Sequence, residues 1–272
     1  MKNAKKIATR AALEAGAILK ERLGDVRVID YKAAYNIVTD VDKASEAKIF
    51  SIIKEEFPED DVLAEESGFT KGQTSKRRWL IDPLDGTTNY AHTYPFFSVS
   101  IGLEENGKLV LGVVYNPITD ELFSAEPGQG AYLNDERMFV SDAKDLQTSL
   151  LATGFPPDTT KAARTNILQF KTLTDQTHGV RRDGSAALDL CYVACGRLDG
   201  FWEMKLAPWD IGAGSLIVEE AGGKVTNLAG GPLDISTGHI LATNGKIHNE
   251  LVEVLTRLEA EETSQASTQV GS

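Results

Sequence analysis

Two hydrophobic rhythms divide this chain, and together they restrict it to a layered architecture of helices and sheets. From residue 96 to 133 apolar and polar residues alternate at period two. Phe97 to Leu103 is one such run, Glu105-Asn106-Gly107 supplies a turn, and Leu109 to Tyr115 returns. Asn116-Pro117 turns again before Glu121 to Ala125, and Pro127-Gly128 precedes Gly130 to Leu133. Alternation broken by Asn, Gly and Pro predicts an antiparallel meander. Beyond residue 149 the rhythm changes. Short apolar runs at 149–153, 198–203, 224–226 and 239–243 alternate with helical patterns at 159–176, 185–196, 209–221 and 246–258. That order predicts an α/β half whose helices cover a sheet.

Ahead of the meander the pattern predicts two helices. The first spans 3–23, with Ile7, Ala11, Ala15, Ile18 and Leu19 on one face and Gly24 closing it. Residues 26–41 read as extended and irregular. The second helix spans 42–57, capped by Asp42 or the residue before it, with Ala44, Ala47, Ile49, Ile52 and Ile53 facing the core and Pro58 ending it. Residues 70–77 read as an exposed loop. The chain thus divides into an N-terminal α+β half (1–145), a C-terminal α/β half (146–258) and a polar tail (259–272) whose composition predicts disorder. No internal repeat is present.

The 272 residues are ample for a large core. The net charge of -12 argues against a general nucleic-acid surface, and an anionic substrate would need metal ions to reverse the local field. The only cysteines, Cys191 and Cys195, stand four apart in a helical pattern. They read as small core residues, and the chain as one from a reducing, cytoplasmic compartment. Lys, Arg and Glu run through the first 23 residues, so no signal peptide is expected, and no apolar run reaches membrane-spanning length.

Chemistry concentrates where strands run into acid. Trp79-Leu80-Ile81 is a buried-strand pattern that meets Asp82-Pro83-Leu84-Asp85-Gly86-Thr87-Thr88-Asn89. Pro83 and Gly86 should stop the strand and leave Asp82 and Asp85 close together, repelling unless a cation lies between them. In isolation the same residues could be a turn in which each Asp accepts backbone amides. A second strand, Val62-Leu63-Ala64, runs into Glu65-Glu66-Ser67, and Asp210 opens a helix after Pro208-Trp209. Asp42 stands at another helix start, where a plain N-cap explains it equally well. Carboxylates without His or Cys partners point to Mg2+ or Mn2+ rather than zinc. His92, His178, His239 and His248 stand apart from these clusters and read as surface or ordinary polar residues. Gly86-Thr87-Thr88 should begin a short helix whose free amides could face a phosphate. Metal carboxylates beside such a helix start suggest metal-assisted phosphoryl transfer to water. Glu203 taken alone is a strand-end acid, and Arg181 and Arg182 remain without an assigned role.

The sequence resembles the inositol monophosphatase family of Mg2+-dependent, lithium-sensitive sugar phosphatases over residues 1–258. Three stretches carry the resemblance: Asp82 to Asn89, Trp209-Asp210-Ile211-Gly212-Ala213-Gly214 followed by Glu220-Ala221-Gly222-Gly223, and Glu65-Glu66-Ser67. With the two halves described above, it implies a layered αβαβα sandwich: an antiparallel meander sheet in the N-terminal half and a mixed α/β C-terminal half. It implies two or three Mg2+ ions, or Mn2+, held by Glu65, Asp82, the carbonyl of Leu84, Asp85 and Asp210. Thr87 and Asp42, with Glu65, would orient and activate the attacking water, and the Gly86 and Thr87 amides would bind phosphate. Asp85, Gly184, Ser185, Ala186, Glu203 and Asp210 would surround the alcohol half of a small phosphate ester, Glu203 accepting from its hydroxyls. The resemblance also implies a homodimer. The segment Lys32-Ala33-Ala34-Tyr35-Asn36 is shorter than the corresponding loop of animal members and lacks its Ser-Pro, which leaves the role of Lys32 in a third-ion site open.

Overall fold

Helices and sheets stack in five alternating layers in this computed structural model, which describes residues 4–25, 29–33, 36–73, 76–155 and 165–270. Helix α1 (Ala4–Glu21) leads to a hairpin of β1 (Ile29–Ala33) and β2 (Asn36–Thr39), and α2 (Asp40–Glu56) follows. The first large sheet contains β3 (Asp61–Ala64), β4 (Gly68–Thr70), β5 (Arg77–Asp85), β6 (Ser98–Glu105), β7 (Lys108–Asn116), β8 (Glu121–Glu126), β9 (Gly130–Leu133) and β10 (Glu136–Arg137). Its strand order is β10-β9-β8-β7-β6-β5-β3-β4. The meander forms as its alternation predicts. One pair departs from it: β3 runs parallel to β5, with Ala64 opposite Ile81.

The second sheet has the order β12-β11-β13-β15-β14, built from β11 (Leu150–Thr153), β12 (Gly179–Arg181), β13 (Gly200–Glu203), β14 (Lys224–Thr226) and β15 (Ile240–Thr243). Between the sheets lie α5 (Ala186–Ala194) and α6 (Pro208–Glu220), packed in one apolar cluster with Phe123, Phe201 and Ile240. Helices α1 and α2 cover the outer face of the first sheet, and α4 (Ile167–Gln176) and α7 (His248–Val270) the outer face of the second. A five-residue α3 (Thr87–Ala91) follows β5. No helix among the described residues is long and apolar enough to cross a membrane.

Several boundaries differ from those the pattern predicts. Strand β5 does not stop at Pro83: it continues through an irregularity to pair Asp85 with Ser98. Helix α2 starts at Asp40, not Asp42, because Thr39 is its N-cap and Asp42 completes a capping box at the third helical position. Its core face includes Ser45 and Glu46, whereas Ala44 is half-buried and Ala47 exposed. These polar residues bind backbone: Ser45 Oγ donates to the Pro83 carbonyl at 2.7 Å, and the Glu66 amide donates to Glu46 at 2.8 Å. Helix α2 thereby ties down both acid-bearing loops. On α1, Ala8 and Ala12 are fully buried while Ile7 and Ile18 are only half-buried. Helix α4 begins at Ile167, after Asn166 with φ 65, and the first part of the helix expected at 159–176 lies outside the described residues. The tail expected to be disordered from 259 is helical to Val270, since Glu, Ala and Gln favour helix and Gly271 is the first breaker.

Helix α6 approaches the first sheet closely. Gly102 and Gly112 face each other across β6 and β7, and a Cβ at Gly112 would fall 2.5 Å from the Ala213 carbonyl oxygen. Gly112→Ala is expected to lower stability by about 1–3 kcal/mol, as overpacking does, measured by denaturant unfolding. His248, read from the sequence as a surface or ordinary polar residue, is fully buried between the hydroxyls of Thr226 (3.0 Å) and Thr243 (2.9 Å). Burial, then nearby Lys224, pushes its pKa down to about 4. The fold therefore favours the neutral ring, while the unfolded chain takes up a proton below about pH 6.5. Its stabilising contribution is complete above that pH and is lost as pH falls toward 4. Between pH 7 and 4 the melting temperature should fall more in the native protein than in His248→Asn, the remaining titrating groups being common to both.

Candidate active site

The parallel pairing of β3 and β5 determines where the acids meet. Ala64 is level with Ile81, so Glu65, just past the end of β3, comes beside Asp82 of β5, and the Glu65 amide donates to the Ile81 carbonyl at 3.1 Å. Strand β6 brings in the rest. Ser100 is the partner of Asp82, and its hydroxyl donates to the Trp209 carbonyl at 3.2 Å, which sets Asp210 beside Asp82. Asp210 is fixed in turn by accepting the Ala207 amide at 2.7 Å. Ser98 is the partner of Asp85, whose Oδ2 accepts Ser185 Oγ at 2.5 Å and the Ala187 amide at 2.8 Å. Asp85 therefore holds the start of α5 against the cleft.

The result is a cleft of about 170 Å³. Of the residues expected at the site, Glu65, Asp82, Leu84, Asp85, Gly86, Thr87, Gly184, Ser185, Ala186, Glu203 and Asp210 all line it. Asp42 does not. It is fully buried behind Thr87, whose Oγ1 lies 3.0 Å from Asp42 Oδ1 and 3.0 Å from the Leu84 carbonyl. Asp42 also accepts the Thr39 amide at 2.8 Å and the Thr39 hydroxyl. Gly86 (φ 98) turns the chain into α3, whose first amides have no helical acceptor. The side chain of Lys32 and residues 34–35 lie outside what is described.

The electrostatics are those of crowded acid. Burial, then Glu65, Asp85 and Asp210, pushes Asp82 well above the usual carboxylate range. Burial pushes Asp85 up to about 6 against the pull of its Ser185 and Ala187 hydrogen bonds. Burial and Asp85 take Asp210 to about 8, and burial with Asp210 and Asp85 takes Glu203 to about 8. Both keep partial exposure to the cleft, and burial and repulsion act on them in the same upward direction. Asp42 is raised by burial, partly offset by Thr39 and Thr87. Among the described residues no three His, Cys, Asp or Glu side chains form a ready-made metal-holding group. The donors around the cleft are nonetheless all oxygen, and repelling carboxylates are relieved by a hard cation.

Sequence reasoning missed Thr153, Gly154, Arg182, Asp189 and Leu206, which also line the cleft. Gly154 seats Glu203: a Cβ there would fall 2.2 Å from both carboxylate oxygens. Asn166 clamps this corner, donating to the Gly154 carbonyl at 2.6 Å and Thr153 Oγ1 at 2.8 Å while accepting Trp202 Nε1 at 2.7 Å. No local motif announces it, because its partners come from two strands. Arg181 is exposed on β12, and only Arg182 reaches the cleft.

The structure is a five-layer αβαβα sandwich with an oxygen-rich acidic cleft beside the parallel pair β3 and β5. The sequence profile of the inositol monophosphatase family matches residues 1–260. An inositol-1-monophosphatase of Synechocystis sp. is 51% identical over 250 residues, covering 92% of this chain and 87% of that protein. The Nus factor SuhB of Escherichia coli strain K12 is 44% identical over 243 residues, covering 89% and 91%. The solved inositol monophosphatase of Anabaena (Nostoc) sp. superposes with a TM-score of 0.85 at 50% identity, covering 93% of this chain and 95% of that one. This chain belongs to the inositol monophosphatase family.

Gly154→Ala should displace the Glu203 carboxylate without disturbing the acids of β5. The expected outcome is a KM for a polyol phosphate raised by about 3–10-fold at nearly constant kcat, measured by steady-state phosphate release.

Proposed function

We propose that this chain is a Mg2+-dependent phosphomonoesterase that hydrolyses myo-inositol monophosphate or a closely related sugar phosphate. The observation that carries the reading is the convergence of Glu65, Asp82, Asp85 and Asp210 on one cleft beside the Gly86-Thr87 turn. Glu65, Asp82, Asp85, Asp210 and the Leu84 carbonyl would hold Mg2+. When bound, the cations neutralise phosphate charge and make water a better nucleophile at neutral pH.

The chain's own groups perform the rest. Thr87 Oγ1 donates to Asp42, so its lone pairs are available to accept a proton from the attacking water, and Asp42 takes up the Thr87 proton in turn. The amides of Gly86 and Thr87 steady the phosphate oxygens. Water oxygen bonds to phosphorus as the ester P–O bond breaks, and the departing alkoxide takes a proton from solvent. Glu203 accepts from hydroxyls of the alcohol half, which favours a hydroxyl-rich monophosphate over fructose 1,6-bisphosphate, histidinol phosphate, a nucleotide or NADP. The likeness to a relative named as a Nus factor supports a second reading, a regulatory role in transcription through a protein partner. The acidic net charge favours a protein contact over direct nucleic-acid binding. We place the chain in the cytoplasm as a homodimer.

Phosphate release from a panel of these esters tests the reading. Native protein should release phosphate from inositol monophosphate only with Mg2+ and lose this with chelator or high Li+. Thr87→Ala should lower kcat by about 10²–10⁴-fold, while Thr87→Ser keeps most of it. Mg2+-independent release, or none from any ester, would refute the enzyme reading. A preference for fructose 1,6-bisphosphate would move the substrate.

A further inference from the structure

Asp189 takes no part in the chemistry above, yet it lines the same cleft. It follows Ser185 by four residues and Ala186 by three, a spacing that stacks side chains on one helix face. All three line the cleft, so Asp189 continues the Ser185-Ala186 wall one turn along α5. The residue is 1% exposed, and its Oδ1 has no hydrogen-bond partner. Its charged neighbours make the lack worse. Asp183, Glu203 and Asp85 repel it and Arg182 attracts it. A buried carboxyl oxygen without a donor is costly, and native folds retain few of them. Replacement by Leu would keep the branched four-atom outline, at the cost of more bulk, and remove the unpaired oxygen. At the wall of a ligand cleft, the missing donor is explained if the ligand brings it.

We propose that Asp189 is a specificity-determining residue whose carboxyl accepts a hydroxyl of the substrate's alcohol half, as a second hydroxyl-reading group alongside Glu203. The inference rests on the phosphatase reading and narrows it. The substrate class becomes a polyol monophosphate with hydroxyls enough to engage both acids, and esters of alcohols lacking them lose the benefit. Arg182, the cation beside Gly184, faces the same carboxyls and limits their repulsion.

The test uses the full chain with Mg2+ and compares native protein, Asp189→Leu and Asp189→Asn on myo-inositol 1-phosphate and on p-nitrophenyl phosphate, which has no alcohol hydroxyl. Asp189→Leu should raise KM for the inositol ester about three- to tenfold, the worth of an ordinary hydrogen bond, with kcat nearly unchanged. Kinetics on the aryl ester should not change. Asp189→Asn, which keeps an acceptor oxygen and the shape, should lie between. The ligand-free Asp189→Leu protein should melt at or above the native temperature. Equal losses on both esters in the Leu and Asn variants, or a lowered melting temperature with parallel loss of kcat, would make Asp189 structural and overturn the proposal. A native protein that hydrolyses the aryl ester but no polyol phosphate would leave the phosphatase reading standing and overturn this subsite. Failure on every ester would overturn both.

Discussion

The parallel register between β3 and β5 is the constraint on which the site depends. Antiparallel neighbours put their C-terminal ends at opposite edges of a sheet; parallel neighbours put them together. With Ala64 level with Ile81, two strands that run into acid do so at one edge. Burial first, and the acids' mutual repulsion after it, raises the pKa values of Asp82, Asp85 and Asp210. A fold that gathers such charge carries a local cost, and a bound cation reverses its sign.

The rest of the molecule holds that arrangement in place. Strand β6 works as a ruler: Ser100 locates Asp210 opposite Asp82, and Ser98 stands opposite Asp85, next to Ser185. The ruler functions only because α6 can lie close to the sheet, over Gly102 and Gly112. On the other face, Ser45 and Glu46 of α2 hold the backbone at Pro83 and Glu66. Both acidic loops are thus fixed from behind by buried polar side chains, while their carboxylates face the cleft. Pre-positioning of this kind is what a metal or transition-state site requires of its support.

Much of this was legible in the sequence because it is local. Alternation at 96–133 encodes a meander, and acid at the ends of 62–64 and 79–81 encodes a site whatever the topology. What stayed illegible depends on contacts between distant segments. Nothing near Val62 says that β3 runs parallel to β5. Ser45 and Glu46 look like surface residues until their backbone partners arrive, and Asn166 gains meaning only between β11 and β13. Asp42 shows the limit most clearly. Its place near a helix start was readable, but its position as the third helical residue behind the Thr39 cap and its burial behind Thr87 were not. The stretch from 259 is low in apolar residues yet rich in helix formers, and α7 continues through it to Val270.

Magnesium binding to the metal-free protein, followed by calorimetry in the native chain and in Glu65→Gln, Asp82→Asn and Asp210→Asn, tests the central claim most directly. These acids come from the end of β3, from β5 and from the start of α6. If they share cations, each substitution should weaken binding by about tenfold or more, and none should lower the melting temperature of the metal-free protein. Unchanged Mg2+ affinity in all three variants would contradict a shared site.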